Sequence, residues 1–348
     1  MSRVSKRDHI LVGLDIGTTK ICAIVAEVPE EGPLNIIGVG SCPSRGLRKG
    51  VVVNIESTVE SIKKAVEEAE LMAAVQINSV YTGIAGSHIS GENLKGVVAL
   101  KKQEVTRDDI SRAVESARTL AVIPHERRIL HVLPREFMVD DQEGVREPLG
   151  MSGNRLEVNV HVITGAVTSA QNIIKSVNRA GLDVVDIILQ PLASSEAVLS
   201  AEERELGAAM VDLGGGTTDL AIFLDGSIRH TAVLPIGGQN LTKDLAIGLL
   251  TSQTDAEKIK VQHGIARTEL VHGHQMVEVP SVGDRPPRQF TRRDIAEILE
   301  PRVEEMFDLV KREIVRAGYE GMLGAGVVIT GGTSLLEGMP DAAERGLN

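Results

Sequence analysis

Two short stretches of the sequence place an aspartate at the end of an apolar run and follow it with glycines and paired threonines. The two aspartates are Asp15 and Asp212. Glycines, which lack a Cβ, let the backbone turn sharply and bring several N–H groups close to one anion. A carboxylate at this position would repel the anion unless a divalent cation lay between them. We therefore predict two loops that bind the phosphates of a magnesium nucleotide, formed by Gly17, Thr18, Thr19 and Lys20 in the first and by Gly214, Gly215, Gly216, Thr217 and Thr218 in the second.

A third glycine turn follows the apolar run at residues 326–330 and consists of Gly331, Gly332, Thr333 and Ser334. We expect it to open a helix, whose N-terminus can face an anion. Taken alone, each of the three turns could be a tight turn without a ligand. Three such turns, spread over most of the chain, instead indicate two halves that close on one nucleotide.

The aspartates must be positioned by pairs of short buried strands, because apolar runs flank both loops. The chain has 348 residues, of which 42% are hydrophobic, with four Phe, two Tyr and no Trp. Cores must then be built from Val, Ile, Leu and Ala, which favours helix-covered, largely parallel sheets. This length allows two domains, each with its own core, so we predict an α/β fold.

The charge and cysteine content exclude several classes of protein. A formal net charge of −11 argues against a nucleic-acid-binding protein, which needs a basic surface. The two cysteines, Cys22 and Cys42, lack metal-ligand spacing and exclude a disulfide framework, so we expect a reducing cytoplasm. No apolar run approaches the ~18 residues of a membrane-spanning helix.

Residues 86–165 have a different character and are predicted to form a small α+β module inserted into the first domain. Thr106 and Asp109 have the spacing of a helix start. The run from Leu156 to Val162 alternates in polarity, which predicts a strand in a sheet with one face in water. His161 falls on the polar side of this strand, so we expect it at the surface.

Other candidate site residues have two readings each. Gln190 follows a buried strand, where it could orient an attacking water or only hydrogen-bond the turn. Glu257 and Lys260 could be a helix cap and an ion pair, or they could reach a ribose. Gly238 follows another glycine at a predicted helix start and is added to the predicted binding residues.

A polar loop near residues 283–293 reverses the local sign of the charge. Its arginines could receive an acidic segment of a partner protein, or they could form an ordinary solvated loop. They are Arg285, Arg288, Arg292 and Arg293.

The two Asp-Gly-Thr hairpins, the Gln-Pro helix start between them and the late Gly-Gly-Thr-Ser turn resemble the actin superfamily, which includes MreB, heat-shock chaperones and sugar kinases. Within it the chain is similar to the FtsA family of bacterial cell-division proteins, through the segments 13–20 and 44–50 and the inserted module. This resemblance implies an actin-like α/β fold, with two lobes of mixed sheets and helices around a nucleotide cleft and an α+β insertion called subdomain 1C. The implied division assigns residues 1–85 and 166–206 to subdomain 1A and residues 86–165 to subdomain 1C. Subdomain 2A would contain residues 207–240 and 309–348, and subdomain 2B residues 241–308.

The resemblance also implies roles for single residues. Asp15 and Asp212 match carboxylates that hold Mg²⁺ through its waters, and the glycine loops match the phosphate loops for ATP or ADP. Glu257 and Lys260 match a pair that grips the nucleoside. Gln190, together with Asp212, would serve any hydrolysis, which should be slow.

The implied partners are the C-terminal tail of FtsZ, further copies of the same chain in a filament, and other proteins of the divisome. Family members bind the cytoplasmic face of the inner membrane at the division septum through a C-terminal amphipathic helix. That helix is missing from this chain, so we do not expect the chain to anchor itself. The alternatives are an adaptor similar to the pilus protein PilM and a phosphotransferase of the sugar-kinase branch.

Overall fold

The computed structural model describes residues 10–283 and 285–347. Strands and helices alternate along the chain and form two lobes with an inserted module between them. The first part contains β1 (Ile10–Ile16), β2 (Lys20–Glu27), β3 (Asn35–Pro43), β4 (Leu47–Arg48), β5 (Val51–Val52), α1 (Ile55–Ala73), β6 (Ser79–Ile84), β7 (Ser90–Ala99), α2 (Arg107–Leu120), β8 (Arg127–Val139), β9 (Gln142–Val145), β10 (Arg155–Ala166), α3 (Val167–Arg179), β11 (Asp183–Leu189), α4 (Gln190–Val198) and α5 (Ala201–Leu206). The second part contains β12 (Ala208–Leu213), β13 (Thr218–Leu224), β14 (Ser227–Leu234), α6 (Gly238–Gly248), α7 (Gln253–His263), β15 (Met276–Val279), β16 (Arg288–Thr291), α8 (Arg292–Arg316), β17 (Gly326–Thr330) and α9 (Met339–Leu347).

The first lobe is built on a five-stranded sheet with the order β11-β6-β1-β2-β3. Alternate residues of β1, namely Val12, Leu14 and Ile16, are buried in its core. Helix α1 packs very close to β3, because an ideal Cβ on Gly40 would lie 1.9 Å from the carbonyl oxygen of Ala65. Only glycine allows this approach.

The second lobe repeats the hairpin arrangement in a four-stranded sheet with the order β14-β13-β12-β17. Strands β12 and β13 are antiparallel, and β17 lies parallel to β12. Their apolar side chains share one core with helices α6, α7 and α8. As a result, the glycine turn after β12 and the glycine turn after β17 lie at the same edge of the sheet.

The inserted module is a four-stranded antiparallel sheet with the order β7-β10-β8-β9 and the helix α2. Helix α2 begins as predicted, since Thr106 and Asp109 form a reciprocal capping box. The expectation of a sheet with one wet face is wrong. Strand β10 is buried on both faces, because β14 of the second lobe approaches the side opposite α2.

The prediction that His161 lies at the surface is therefore wrong, because only 1% of the residue's surface is exposed. Its Nδ1 lies 2.7 Å from Asn93 Oδ1, and its Nε2 lies 2.9 Å from Thr231 Oγ1. Desolvation, followed by the nearby charges of His230 and Arg135, lowers its pKa to about 3. It is a neutral, hydrogen-bonded histidine at the contact between the module and the second lobe.

One helix start and the third turn also differ in detail from the sequence pattern. Helix α7 is capped by Ser252, so Glu257 lies beyond its first turn. The turn at Gly331 leads into a short 3₁₀ helix and not into an α-helix.

Candidate functional site

The two aspartate-bearing turns come from opposite lobes and meet across one cleft. An ideal Cβ on Gly215 would lie 2.4 Å from Thr19 Cγ2, and one on Gly216 would lie 2.6 Å from Thr18 Oγ1. Real Cβ atoms essentially never show such short contacts, so the second turn depends on glycine at both positions to approach the threonines of the first. The hydroxyl of Thr18 also accepts a hydrogen bond from the N–H of Gly50 at 2.9 Å.

The cleft between these turns is a cavity of about 870 Å³. This volume lies in the range of small-molecule and cofactor sites. Most of the predicted site residues line it, namely Asp15, Gly17, Thr18, Thr19, Lys20, Gln190, Asp212, Gly214, Gly215, Gly216, Thr217, Gly238, Glu257, Lys260, Gly331, Gly332 and Thr333. The turns that are distant in sequence thus converge on one space.

Two predicted binding residues do not line the cleft. The hydroxyl of Thr218 was expected to face an anion, but the side chain is fully buried and donates to the carbonyl oxygen of Ile236 at 2.9 Å. The hydroxyl of Ser334 donates to the carbonyl oxygen of Gly331 at 2.7 Å. Both hydroxyls therefore hold the turns in shape.

Three carboxyl groups lie close together at the base of the cleft. Desolvation, followed by the charge of Asp212, raises the pKa of Asp15 to about 6. Asp15 faces the open cleft, and water that reaches it there limits the desolvation. Desolvation also raises the pKa of Asp212, against a hydrogen bond from Ser194. Asp219, which is opposite Asp212 in the hairpin, is fully enclosed, and desolvation and the two other carboxylates raise its pKa to about 8.

Helix α4 donates hydrogen bonds to two of these carboxylates. Gln190 Nε2 donates to Asp15 Oδ1 at 2.6 Å, and Ser194 Oγ donates to Asp212 Oδ2 at 2.8 Å. Residues four apart lie on the same face of a helix. A single helix face therefore sets the orientation of one carboxylate from each lobe.

Glu257 and Lys260 form an ion pair inside the cleft. Lys260 Nζ lies 2.8 Å from Glu257 Oε2, 3.0 Å from Thr242 Oγ1 and 3.2 Å from the carbonyl oxygen of Gly238. The ammonium group is mostly buried, whereas nearly half of the Glu257 side chain is exposed to the cleft. The pair thus joins α7 to the start of α6 and presents a carboxylate to the cavity.

Several cleft residues were not found from the sequence. Ser194 lies four residues after Gln190, on the same face of a predicted helix, and this spacing could have identified it. Asp219 directly follows the second glycine turn and could have been identified by that position. Val261 and Leu335 also line the cavity, and they are 74% and 86% exposed. Exposed apolar side chains facing a cleft offer an apolar surface to a planar ring, but no sequence pattern distinguishes them from other surface residues.

The arginine-rich segment is largely engaged within the protein. Arg288 donates to the carbonyl oxygen of Leu249 and stacks over the ring of Phe290. Arg292 lines the cleft and pairs with Glu337 at 2.5 Å. Arg293 pairs with Glu297, and Arg285 is exposed. Contacts within the protein therefore engage three of the four arginines and leave Arg285 exposed, and the docking of an acidic partner segment here stays a prediction.

The residues of the cleft could hold a magnesium ion only if a bound ligand and water supplied the remaining oxygen ligands. Within residues 10–283 and 285–347, no three His, Cys, Asp or Glu side chains converge tightly enough to hold a metal ion. Mg²⁺ takes six oxygen ligands and commonly combines one or two carboxylates with waters and substrate phosphates. Asp15 and Asp212 supply such carboxylates. No helix in the same part of the chain is long and apolar enough to cross a membrane.

Comparison with known families gives two matches that cover different parts of the chain. A family described as "SHS2 domain inserted in FTSA" matches residues 86–164, and one described as "Cell division protein FtsA" matches residues 209–348. Cell division protein FtsA of Pseudomonas aeruginosa is 53% identical over 335 residues, which are 96% of this chain and 80% of that protein. FtsA of Escherichia coli K12 is 46% identical over 343 residues, which are 97% of this chain and 81% of that protein.

Solved structures with similar folds are more distant in sequence. A PilM–PilN type IV pilus biogenesis complex aligns with a TM-score of 0.68 and 17% identity, over 97% of this chain and 85% of that chain. MreB5 of Spiroplasma citri bound to ADP aligns with a TM-score of 0.56 and 14% identity, over 95% and 87%. At this identity the likeness bears on the fold alone, and it confirms the predicted actin-like α/β architecture. The family match at residues 86–164 confirms the inserted module.

Proposed function

Because this chain belongs to the FtsA family of cell division proteins, we propose that it binds ATP or ADP with Mg²⁺ in the cleft between its two lobes and acts as a nucleotide-dependent structural protein of division. The observation that carries the proposal is the meeting of the two turns. Gly215 and Thr19 approach so closely that a methyl group on the glycine would collide with the threonine. Each turn brings a carboxylate, Asp15 or Asp212, into the same cavity.

The phosphates would lie between the turns, where backbone N–H groups can point at an anion without interference from Cβ atoms. Mg²⁺, through its waters, would lie between the phosphates and the carboxylates of Asp15 and Asp212 and offset the repulsion between them. Lys20 would add a positive charge at the start of β2. The chemistry supplied by the bound ion is charge neutralisation and polarisation of phosphate oxygens.

The nucleoside would lie toward α7 and the third turn. The exposed carboxylate of Glu257 can accept hydrogen bonds from ribose hydroxyls, and Lys260 holds that carboxylate in place. Val261 and Leu335 offer apolar contact to the base. Gly331, Gly332 and Thr333 close this end of the cavity.

Hydrolysis, where it occurs, should be slow. Gln190 is the residue proposed to orient water, but its amide nitrogen is engaged with Asp15 at 2.6 Å. A glutamine held by a carboxylate is not free to position a nucleophile. We therefore propose that the main role of the cleft is to bind nucleotide and not to hydrolyse it.

Nucleotide affinity measured with Mg²⁺ and with EDTA tests the proposal. Wild-type protein should bind ATP at least tenfold more tightly with Mg²⁺, and Asp212→Asn should lose this difference. Asp141→Asn is a matched control, since Asp141 is fully exposed and lies outside the cleft. Nucleotide binding that survives Asp212→Asn with its full Mg²⁺ dependence would overturn the site.

The proposal includes partners at the division septum. We propose that the chain binds the FtsZ C-terminal tail, self-associates into filaments and works with other divisome proteins at the cytoplasmic face of the inner membrane, as in its family. Binding of an FtsZ tail peptide in a pull-down supports this role. Binding of a pilus-assembly peptide in its place would favour a PilM-like adaptor, and ATP turnover stimulated by small polyols would favour a phosphotransferase.

A further inference from the structure

Strand β11 is an edge strand of the five-stranded sheet of the first lobe, and within residues 10–283 and 285–347 no strand pairs with its outer side. Unpaired backbone donors in a protein interior are usually satisfied by another group. Here the N–H of Leu189 donates to Nε2 of His131 at 3.0 Å. His131 belongs to β8, so the inserted module supplies the acceptor.

Leu189 is also the N-cap residue of helix α4 and receives no help from a side chain of its own. The next residue, Gln190, donates to Asp15, and Ser194 one turn later donates to Asp212. The hydrogen bond from Leu189 to His131 therefore fixes the point at which the carboxylate-orienting helix begins.

A second contact from the same strand reinforces this arrangement. Leu133, two residues after His131, packs against the buried cluster that contains Leu199, Ala208 and Met210, and Leu192 of α4 packs against the same cluster. The strand β8 thus contacts the N-cap residue of α4 and packs against a cluster that α4 also contacts.

The chemistry of His131 suits an acceptor role. Burial lowers its pKa, against a smaller opposite effect of Asp186, so the ring is neutral at physiological pH. A neutral imidazole that accepts at Nε2 carries its proton on Nδ1. Protonation of Nε2 would remove the lone pair that holds Leu189.

We propose that His131 is a positioning residue for the nucleotide cleft, through which the inserted module holds α4 and thereby sets the Mg²⁺-binding geometry of Asp15 and Asp212. This inference rests on the proposed nucleotide function. It predicts that loss of the His131 acceptor weakens the Mg²⁺-dependent part of nucleotide binding and leaves the Mg²⁺-free part intact, because the glycine turns and Glu257 do not depend on α4.

The test measures the affinity of the full chain for ATP with Mg²⁺ and with EDTA in four variants. His131→Leu removes the acceptor. His131→Asn keeps a polar side chain, but this side chain is too short to accept a hydrogen bond from Leu189. His131→Gln keeps an acceptor near the position of Nε2. His125→Leu is the control, since His125 is an exposed histidine of the same module.

We expect the ratio of the two affinities to fall about tenfold in His131→Leu and His131→Asn, and to stay within threefold of wild type in His131→Gln and His125→Leu. Amide hydrogen exchange at Leu189 should accelerate in the first two variants only. If His131→Leu fails to fold, His131→Asn and His131→Gln still carry the comparison.

The outcomes separate the two proposals. A wild-type protein without Mg²⁺-dependent ATP binding overturns the proposed function and this inference together. A wild-type protein with such binding, whose ratio is unchanged in His131→Asn, overturns the positioning role of His131 alone.

Discussion

His161 Nε2 lies 2.9 Å from Thr231 Oγ1, so a histidine of the inserted module is hydrogen-bonded to strand β14 of the second lobe. The ring is buried and neutral, with Nδ1 donating to Asn93. The module is therefore held by a polar contact that depends on the protonation state of one side chain.

This contact predicts a pH dependence of stability. The pKa of His161 is lowered from 6.5 to about 3 by folding, so the unfolded chain binds more protons between these values. Stability from this group is complete above pH 6.5 and is lost as the pH falls toward 3, by up to about 1.4 kcal/mol per pH unit. In urea unfolding at pH 7, 6, 5 and 4, wild type should lose stability relative to His161→Gln at each step.

The control for this series is His125→Gln, which changes an exposed histidine. Its unfolding midpoint should follow wild type at every pH. Parallel curves for wild type and His161→Gln would show that His161 does not titrate on unfolding.

The carboxyl cluster in the cleft predicts that removing one carboxylate raises the stability of the unliganded protein while weakening Mg²⁺-dependent nucleotide binding. At pH 7 Asp219 is largely protonated, because its pKa is raised to about 8, whereas Asp15 and Asp212 repel one another without a cation. Asp212→Asn should therefore stabilise the unliganded protein by about 1 kcal/mol and raise its melting temperature by about 1–2 °C. Differential scanning calorimetry without nucleotide measures this change. A lower melting temperature for Asp212→Asn would contradict the predicted repulsion, and Asp141→Asn should leave it unchanged.

The contact between the two turns predicts a specific interaction between two positions. In Gly215→Ala the new methyl group would meet Thr19 Cγ2 at 2.4 Å and push the turns apart. We expect Mg²⁺–ATP affinity to fall at least tenfold. In a double-mutant cycle with Thr19→Ala, part of the loss should be recovered, because the smaller side chain gives the methyl group room. Purely additive losses would mean that the turns do not meet in solution.

Packing of α1 on β3 predicts a large and local effect on stability. A Cβ at position 40 would lie 1.9 Å from Ala65 O and 2.5 Å from Ala69 N, both of which are backbone atoms. Gly40→Ala should therefore destabilise the first lobe by roughly 3 kcal/mol. Gly13→Ala is the matched control in the same sheet, since nothing lies within 4 Å of its Cβ position. Equal unfolding midpoints for the two variants would refute the close packing.

Local patterns in the sequence predicted the parts of the fold that depend on near neighbours. The capping box of Thr106 and Asp109 is an interaction within one helical turn, and the glycine turns are set by a few consecutive residues. These were found because the residues that form the contact are adjacent in the sequence. The convergence of the turns was inferred from their repetition.

Features set by distant residues were not predictable in the same way. His161 alternates with apolar neighbours, but its burial is caused by β14, about 70 positions along the chain. Ser194 and His131 act through contacts with Asp212 and Leu189 that only the folded chain creates. Alternation of polar and apolar residues identifies a strand. It does not show whether the polar face of that strand contacts water or another lobe of the protein.

Tyr81 lines the cleft, and the whole chain contains only one other tyrosine and no tryptophan. The intrinsic ultraviolet emission of this protein therefore comes from two phenol rings, one of them at the wall of the cavity. Replacing Tyr319 by Phe leaves Tyr81, beside the cleft, as the only tyrosine in the sequence. Ligand entry and lobe movement can then be followed optically without attaching a dye.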